Sequence, residues 1–366
     1  MTGTKTGVVA LVFAGELGRG HFGRVLEANV APQGTVAVKV IDCEAMKDML
    51  GVDSWSELKE HLFAEAINLS KAAHPNVVAV HAVQHSPNKT EVYIVTERCD
   101  GSLAKLAANG PVPLAIASVA IRHALMGLEA LHLRGMVHRD LKPANVLRKD
   151  ATFKLADFGL VTDDVVKGYA SRQGYTEHLA PEAFEVDATS SSTDVWALGM
   201  TAFRVLNGEP WYAELRAKLG VDPLDPVAAA AVVEDLVTSG GFTKRLRWMP
   251  HVPSKWRRFV NKALSYSPAT RYRDGGAALS GLNRLQAPDA PSWDCDYSTA
   301  FVRWTRSREG REEVIEWDRT AATAYVAFTR STDGSGQNKT LKRSTTGAKK
   351  NDVFRELQEF FETRNE

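Results

Sequence analysis

The chain has 366 residues, of which 44% are hydrophobic and 24% charged, enough for two domains or for one bilobal domain with an appendage. Lysine and arginine (45) nearly balance aspartate and glutamate (44), which excludes a protein held to nucleic acid or to an anionic membrane by its overall charge. The three cysteines, Cys43, Cys99 and Cys295, lack metal-ligand spacing, which indicates a reducing, cytoplasmic compartment and no zinc site.

Residues 1–98 predict a small lobe built on a β-sheet. Short β-rich runs alternate with glycines between residues 8 and 40, and the runs "VVAVHAVQH" and "EVYIVTE" follow around the turn "SPNK". At 54–73 the apolar residues instead recur at helical spacing, and "HPN" at 74–76 ends that pattern. We therefore expect a five-stranded sheet interrupted by one helix.

Residues 99–287 predict a second lobe that is mainly α-helical. A long amphipathic helix is expected at 113–133, and further helices at about 193–207, 226–238 and 254–265. Charged residues interrupt the longest apolar stretches, so none of them is predicted to cross a bilayer and no membrane partner is expected.

Prolines and small residues at 285–292 mark a boundary. Beyond it, residues 292–366 predict a small α+β accessory domain with three strands and a final helix. The apolar stripe of that helix comprises Val353, Leu357, Phe360 and Phe361. Its expected partners on the strands are Val302, Val314, Ile315, Tyr325 and Phe328. The basic segment 335–350 is predicted to be a solvated linker, with an autophosphorylated or anion-binding tail as the alternative.

A glycine-rich stretch near the N-terminus, "GRGHFGRV", predicts a phosphate-binding loop. Gly18, Gly20 and Gly23 allow backbone amides to lie close to phosphate oxygens, because no Cβ stands in the way. This spacing alone is weak evidence, since it also occurs in dinucleotide-binding folds and in ordinary turns. Here it opens a strand instead of a helix, which disfavours dinucleotide binding.

The strand end "VAVK" places Lys39 where a cation can hold the α and β phosphates of a nucleotide. By itself, a lysine after three apolar residues is usually a solvated strand end. Glu65, on the predicted helix that follows, is a candidate ion-pair partner for Lys39. Because a helical glutamate is most often a surface residue, both assignments depend on residues further along the chain.

The segment "GMVHRDLKPANVLRKDATFKLADFGL", at 135–160, supplies the other groups that phosphoryl transfer to a hydroxyl needs. Asp140 can orient the attacking hydroxyl and accept its proton, and Lys142 can neutralise charge on the transferred group. Asn145 and Asp157 offer the oxygen ligands that Mg²⁺ prefers. Each residue alone also fits a turn or loop, but their joint appearance in this order favours catalysis.

Together these motifs resemble those of the eukaryotic-like (Hanks-type) serine/threonine protein kinase family. The resemblance covers roughly residues 8–285 and includes "VAVK", "HRDLKPAN", "DFG", "APE" and "DVWALG". It implies an α+β, bilobal protein kinase fold, with an N-terminal lobe at 1–98, a C-terminal lobe at 99–287 and the accessory domain as an appendage. It also implies ATP and Mg²⁺ as cofactors, and a protein substrate instead of nucleic acid.

The resemblance assigns roles to individual residues. Thr96 is the expected gatekeeper of the hinge "VTERCDGSL", where the backbone of Glu97 and Cys99 is expected to read the adenine edge. The implied nucleotide site comprises Leu17, Gly18, Gly20, Gly23, Val25, Ala37, Lys39, Glu97, Cys99 and Leu147. The implied catalytic residues are Asp140, Lys142, Lys39 and Glu65, and the implied metal ligands are Asn145 and Asp157.

Two structural relations also follow from the resemblance. Arg271 is expected to pair with Glu182 of "APE". Asp194 is expected to anchor an apolar stack that comprises Leu69, Val80, His138 and Phe158. This gives His138 a structural role in place of a catalytic one.

The resemblance further suggests control by phosphorylation of the activation segment, which runs from "DFG" to "APE". Arg139 is expected to bind a phosphate there, because phosphorylation adds charge that can order a loop against arginine. The candidate acceptors are Thr162, Ser171 and Thr176. In the alternative interpretation, Arg139 only braces an unmodified loop.

Three other functions compete with an active protein kinase. A pseudokinase would keep the fold without the chemistry, but Lys39, Asp140, Asn145 and Asp157 are all present. A small-molecule kinase of the aminoglycoside or choline type typically lacks the Lys142 pattern and "APE". In the third alternative, residues 292–366 are the active part, but they show no catalytic spacing. We expect the accessory domain to dock on the kinase or to recruit its substrate.

Overall fold

The structure is a computed structural model. It describes residues 9–20, 23–44, 73–88, 90–157, 176–185, 190–221, 224–285, 292–308, 310–320, 324–332, 338–344 and 349–365. Residues 54–72 of the helix predicted at 54–73, with Glu65 and Leu69, lie outside these ranges, and so do Phe158, Thr162 and Ser171.

The N-terminal lobe contains the predicted five-stranded sheet. Its strands are β1 (Val12–Gly20), β2 (Gly23–Val30), β3 (Gly34–Asp42), β4 (Val80–His85) and β5 (Glu91–Glu97). The strands are antiparallel in the order β1-β2-β3-β5-β4. Alternate residues of β3, Val36, Val38 and Val40, are buried on one face, as a period of two requires. Lys39 therefore points from the opposite face.

The C-terminal lobe is mainly helical, as predicted. A short sheet, β6 (Gly101–Ser102), β7 (Val146–Lys149) and β8 (Thr152–Leu155), lies at its junction with the N-terminal lobe. Its helices are α1 (Leu103–Ala107), α2 (Leu114–His132), α3 (Pro181–Glu185), α4 (Ser191–Asn207), α5 (Glu209–Lys218), α6 (Pro226–Thr238), α7 (Gly241–Arg245), α8 (Ser254–Ala263) and α9 (Gly275–Asn283). The helices predicted at 113–133, 193–207, 226–238 and 254–265 are thus confirmed.

Helix α2 is apolar because it packs inside the lobe. Its buried residues include Ala117, Ile121, Leu125 and Leu128, which recur at intervals of three and four. Helix α2 is long and apolar enough to span a membrane, but 56% of its apolar 18-residue stretch is buried within the protein. Burial in a core is therefore a sufficient reason for its composition.

The appendage has five strands among the described residues, so the prediction of three was wrong. They are β9 (Asp294–Tyr297), β10 (Phe301–Arg308), β11 (Arg311–Asp318), β12 (Ala324–Ser331) and β13 (Lys339–Arg343), followed by helix α10 (Lys350–Asn365). The order is β13-β12-β11-β10-β9, so the two missed strands are the edges. Edge strands are short and polar because only one side of each is paired. Strand β13 occupies part of the segment that was predicted to be a linker.

The helix stripe packs on one face of this sheet, but two of its expected partners lie on the other face. Val353, Leu357 and Phe361 are fully buried and share a core with Val302 and with the strand residues Ile315 and Tyr325. Val314 and Phe328 are opposite each other in the β11–β12 register, one residue out of phase with Ile315. Because side chains alternate along a strand, they point away from the helix.

The appendage packs against the C-terminal lobe. His251 lies 5.8 Å from the ring of Trp304 and 6.2 Å from that of Phe361. The Glu362 carboxylate accepts hydrogen bonds from the Ser254 backbone and from the Arg257 side chain, each at 2.7 Å. One apolar core therefore runs from the lobe into the appendage.

Candidate active site

The site lies where strand β3 faces the loop that follows α2. Lys39 on β3 forms an ion pair with Asp157, which directly follows β8 at a positive φ of 54°. Burial raises the pKa of the Asp157 carboxyl, but the charge and hydrogen bond of Lys39, together with the charges of Lys142 and His138, lower that pKa more. Asp157 is therefore ionised at neutral pH. The predicted partner of Lys39, Glu65, lies outside the described residues.

Asp140, Lys142 and Asn145 come together in the loop between α2 and β7. The Lys142 amino group donates to both carboxylate oxygens of Asp140, at 2.9 and 2.8 Å. Asn145 Nδ2 donates to the Asp140 carboxylate at 2.9 Å and to its backbone carbonyl at 2.7 Å. The Asp140 side chain keeps 32% of its surface exposed. The loop thus holds one carboxylate in a fixed orientation, open to the cleft.

Asp194 on α4 anchors this loop by hydrogen bonds to its backbone. Its carboxylate accepts the backbone N–H groups of His138 at 2.7 Å and Arg139 at 2.8 Å, and it lies 2.9 Å from His132 Nε2. Arg139 has a φ of 68°, a strained conformation that these bonds stabilise. Burial lowers the pKa of His138, so a neutral, structural histidine fits the prediction. Phe158 and Leu69 of the expected stack are not among the described residues.

The surroundings of Gly18, Gly20 and Gly23 differ in whether they leave room for a side chain. A Cβ on Gly23, which has a φ of 148°, would lie 1.9 Å from the Val40 carbonyl oxygen, so close packing of β2 on β3 requires glycine. A Cβ on Gly18 would meet nothing within 4 Å. The space over Gly18 is therefore available to a group from outside the chain. Gly20 is paired with Gly23 at the end of β1, and Leu17 is exposed.

The remaining residues predicted to contact the base come from both lobes. Val25 on β2 pairs with Lys39, and Ala37 on β3 pairs with Thr96 on β5. Leu147 lies on β7, at the junction of the two lobes. Val25, Ala37 and Leu147 are all half-buried, so each keeps apolar surface that a planar ring can cover.

The hinge is tied to both lobes. The Glu97 carboxylate accepts hydrogen bonds from Lys149 at 2.9 Å and from Lys154 at 2.8 Å, both across the junction, and from the Ala79 amide at 2.8 Å. Burial raises the pKa of the Glu97 carboxyl, but these hydrogen bonds lower it more. Burial also raises the pKa of the Cys99 thiol to about 11. The hinge thiol is therefore protonated at neutral pH.

Arg98 and Asp100 flank Cys99 and are anchored differently. The Arg98 guanidinium donates to Glu27 on β2 at 2.8 Å and also to the Cys99 carbonyl. The Asp100 amide donates to the Arg148 carbonyl on β7 at 2.7 Å. Arg98 is thus bound to the N-terminal lobe, and Asp100 to the C-terminal lobe.

The predicted pairing of Arg271 with Glu182 is confirmed. The Arg271 side chain is fully buried and donates to both Glu182 carboxylate oxygens, at 2.6 and 3.1 Å. It also donates to the carbonyls of Ser192, Ser265 and Tyr266. This network fixes the start of α3 on the lobe.

Sequence reasoning missed the contacts of residues 176–182, which we call the activation-segment end. Glu177 and His178 are buried there and contact Arg216 and Arg204, which come from α5 and α4. No local pattern signals these pairs, because their members lie far apart in the chain. Only the spatial arrangement brings them together beside the catalytic loop.

Comparison with known proteins agrees with this geometry. The family profile described as "Protein kinase domain" matches residues 11–277. The serine/threonine-protein kinase ssp1 of Schizosaccharomyces pombe is 34% identical over 222 residues, 56% of this chain and 34% of that protein. The serine/threonine-protein kinase PknB of Mycolicibacterium smegmatis is 30% identical over 269 residues, 70% of this chain and 40% of that protein. This chain thus spans less than half the length of either relative.

Solved structures show the same fold. The crystal structure of Rad53 in complex with AMP-PNP has a TM-score of 0.52 and 22% identity to this chain, and the match covers 75% of this chain and 64% of that one. At this identity the likeness concerns the fold alone. It supports the assignment of the two lobes around one cleft.

Proposed function

This chain belongs to the protein kinase domain family, of the Hanks-type serine/threonine class, and on that premise we propose that it transfers the γ-phosphoryl group of ATP to serine and threonine hydroxyls of protein substrates. The observation that carries the proposal is that Asp140, held by Lys142 and Asn145, lies beside the pair Lys39 and Asp157. The amide of Ala156, next to Asp157, donates to the Asn145 carbonyl at 2.9 Å and so joins the two groups. Phosphoryl transfer depends mainly on such positioning and charge neutralisation.

Each residue has a role that its contacts support. Asp140 accepts the proton of the attacking hydroxyl, because its carboxylate is oriented and partly exposed. Lys142, bonded to the same carboxylate, stands where it can neutralise charge on the transferred group. Lys39 holds the α and β phosphates, and the open space over Gly18 leaves room for phosphate oxygens. In the hinge, the proposal assigns the adenine edge to the backbone of Glu97 and Cys99.

Mg²⁺ fits the donor set at this site. Asp157 offers an ionised carboxylate and Asn145 a carboxamide oxygen, both of them hard ligands. Among the described residues, no group of three or more histidine, cysteine or acidic side chains could hold a metal by itself. This suits Mg²⁺, which commonly takes one or two protein ligands and completes its shell with phosphate oxygens and water. When bound, the ion neutralises phosphate charge.

Activation-segment phosphorylation is part of the proposal. Arg139, held at the catalytic loop by Asp194, is the expected phosphate partner. Thr162, Ser171 and Thr176 are the candidate acceptors. Mass spectrometry of the active protein, before and after phosphatase treatment, tests this regulation. An unmodified segment together with unchanged activity would eliminate it.

The cytoplasmic location also remains a proposal. None of the cysteines Cys43, Cys99 and Cys295 forms a disulfide bond, which suits a reducing compartment. Subcellular fractionation tests it, and recovery of the protein outside the cytoplasmic fraction would contradict it.

The decisive experiment measures phosphate transfer from radiolabelled ATP to myelin basic protein, with and without Mg²⁺. We expect Asp140→Asn and Asp157→Asn each to lower kcat by at least about a hundredfold, since positioning and electrostatic effects dominate. Asp352→Asn, in the first turn of helix α10 with a side chain that is 44% exposed, is the matched control and should keep wild-type activity. Equal activity of Asp157→Asn and wild type would overturn the assignment. Absence of transfer by the wild type, with ATP bound, would favour the pseudokinase alternative.

A further inference from the structure

Helix α5, Glu209–Lys218, contacts the appendage on one face and the activation-segment end on the other. Trp211 and Glu214, three positions apart, face the appendage. Tyr212 and Arg216, four positions apart, face Glu177. Residues at these spacings share a face of a helix. One short element therefore joins two regions that have no role in the phosphoryl transfer described above.

On the appendage side, the Arg319 guanidinium is enclosed by carboxylate and aromatic groups. It donates to the two carboxylate oxygens of Glu214, at 3.0 and 2.7 Å, and to the Tyr297 hydroxyl at 2.7 Å. The rings of Trp211, Tyr297 and Trp317 have their centroids 5.1, 5.4 and 5.3 Å from its Cζ. A planar guanidinium suits such a bidentate and stacked site, and an ammonium does not.

On the other side, Arg216 Nε lies 2.7 Å from the carboxylate of the buried Glu177. The next residue, His178, is also buried and lies 2.9 Å from Arg204 Nη1. Burial lowers the pKa of His178, and the charges of Arg204 and Lys142 lower it further. His178 also hydrogen-bonds to the backbone of Leu141, the residue between Asp140 and Lys142. The activation-segment end therefore lies directly beside the catalytic loop.

The position of α5 depends on these side contacts. The helix has ten residues, carries Pro210 in its first turn and has no side-chain hydrogen bond at its N-cap. A helix that short is marginal in water without packing. Trp211, Tyr212 and Leu215 pack the helix into the core of the lobe, and Arg319 adds a bidentate ion pair on its outer face. Without that pair, a small rotation of the helix moves Arg216 relative to Glu177, and the activation-segment end is held less tightly.

We propose that Arg319 of the appendage is a positioning residue for the protein substrate. Through Glu214 it fixes α5, and through Arg216 the helix holds Glu177 and the activation-segment end in the geometry that receives the substrate beside Asp140. The appendage thus contributes to substrate binding from a distance, without touching the substrate. This inference rests on the proposed kinase function.

The arrangement predicts a selective kinetic effect. Lys39 and Asp157, which handle the nucleotide, pair with each other on β3 and directly after β8, not on the elements that α5 joins. We therefore expect Arg319→Met to raise the KM for the protein substrate about fivefold or more. The KM for ATP and the slow hydrolysis of ATP without an acceptor should stay at wild-type values. A general loss of folding would lower all of these together.

The test uses the full chain with myelin basic protein as the acceptor. The matched control is Arg303→Met, because Arg303 also pairs with a glutamate, Glu316, and stacks on a ring, but lies on the outer side of the same sheet. Glu214→Gln removes the same contact from the other side, and it decides the matter if Arg319→Met does not fold. A double-mutant cycle of Arg319→Met with Arg216→Met measures the coupling directly.

The proposal is supported if Arg319→Met and Glu214→Gln raise the substrate KM selectively, Arg303→Met does not, and the cycle is non-additive. The proposal is overturned if both variants have the wild-type KM for the protein substrate, or if the KM for ATP rises as much as the KM for the protein substrate. It is also overturned if the effects of the two arginine substitutions are additive. A wild-type protein that transfers no phosphate would instead overturn the proposed function, so the two failures are distinguishable.

Discussion

Replacing Arg271 by methionine should destabilise the protein strongly. The Arg271 side chain is fully buried, and its Cζ lies 5.1 Å from the centroid of the Trp196 ring. Methionine keeps the apolar length and a favourable contact with that ring, so the substitution removes mainly the charge and its hydrogen bonds. The Glu182 carboxylate would lose both of its bonds to the guanidinium, and three backbone carbonyls would lose a charged donor.

The expected magnitude follows from these contacts. Breaking a buried ion pair by removing one partner costs about 3–5 kcal/mol. We take the low end, about 3 kcal/mol, because the Glu182 side chain is 18% exposed and keeps some access to water. The orphaned carbonyls add about 1 kcal/mol. The total of about 4 kcal/mol is a large part of a typical stability of about 5–15 kcal/mol.

Urea unfolding, followed by circular dichroism and tryptophan fluorescence, measures the effect. With an m value of about 3 kcal/mol per molar, the midpoint should fall by roughly 1 M or more. Arg273→Met is the matched control, because the Arg273 side chain is 87% exposed and its ion-pair partner within the described part of the chain is the neighbouring Asp274. It should stay within about 0.5 kcal/mol of wild type. An Arg271→Met protein within about 1 kcal/mol of wild type would refute this reasoning.

Three more outcomes are expected. Gly208→Ala should lower the melting temperature more than Gly220→Ala, because both glycines have positive φ, of 83° and 79°, but only the Cβ at 208 would lie 2.3 Å from another backbone atom. Burial lowers the pKa of His251 to about 3. The free energy of unfolding should therefore fall as the pH drops below 6.5, and this group alone should remove about 2 kcal/mol at pH 5. In urea titrations, the stability of His251→Gln should fall less steeply with pH than that of the wild type. Lys154→Met should reduce stability more than Lys149→Met in the same assay, since their side chains are 14% and 41% exposed.

Local motifs made the catalytic loop predictable. Asp140, Lys142 and Asn145 lie within six positions of one another, and the structure brings them into direct contact. The pairing of Arg271 with Glu182 spans 89 positions and was reached only through resemblance to the family. The same physical contact would have been invisible in composition or periodicity. Residues at a distance in sequence are predictable only when a known fold supplies the link.

The appendage shows where such reasoning ends. Helix α10 was predicted because Val353, Leu357 and Phe361 recur at helical spacing. Strands β9 and β13 were not, because an edge strand pairs on one side only and shows no strong apolar alternation. Glu214 and Arg319 are 105 positions apart, and neither stands in a motif. Their contact depends on how the appendage packs against the C-terminal lobe.

The hinge anchors have a mechanical consequence. Arg98 is carried by the N-terminal lobe through Glu27, and Asp100 is carried by the C-terminal lobe through Arg148. A rotation of one lobe on the other therefore has to bend the backbone around Cys99, between these two anchors. The Glu97 carboxylate forms ion pairs with Lys149 on β7 and Lys154 on β8, and these pairs connect the two lobes across the hinge. Opening the cleft lengthens both ion pairs, so they limit how far the N-terminal lobe can rotate away from the C-terminal lobe.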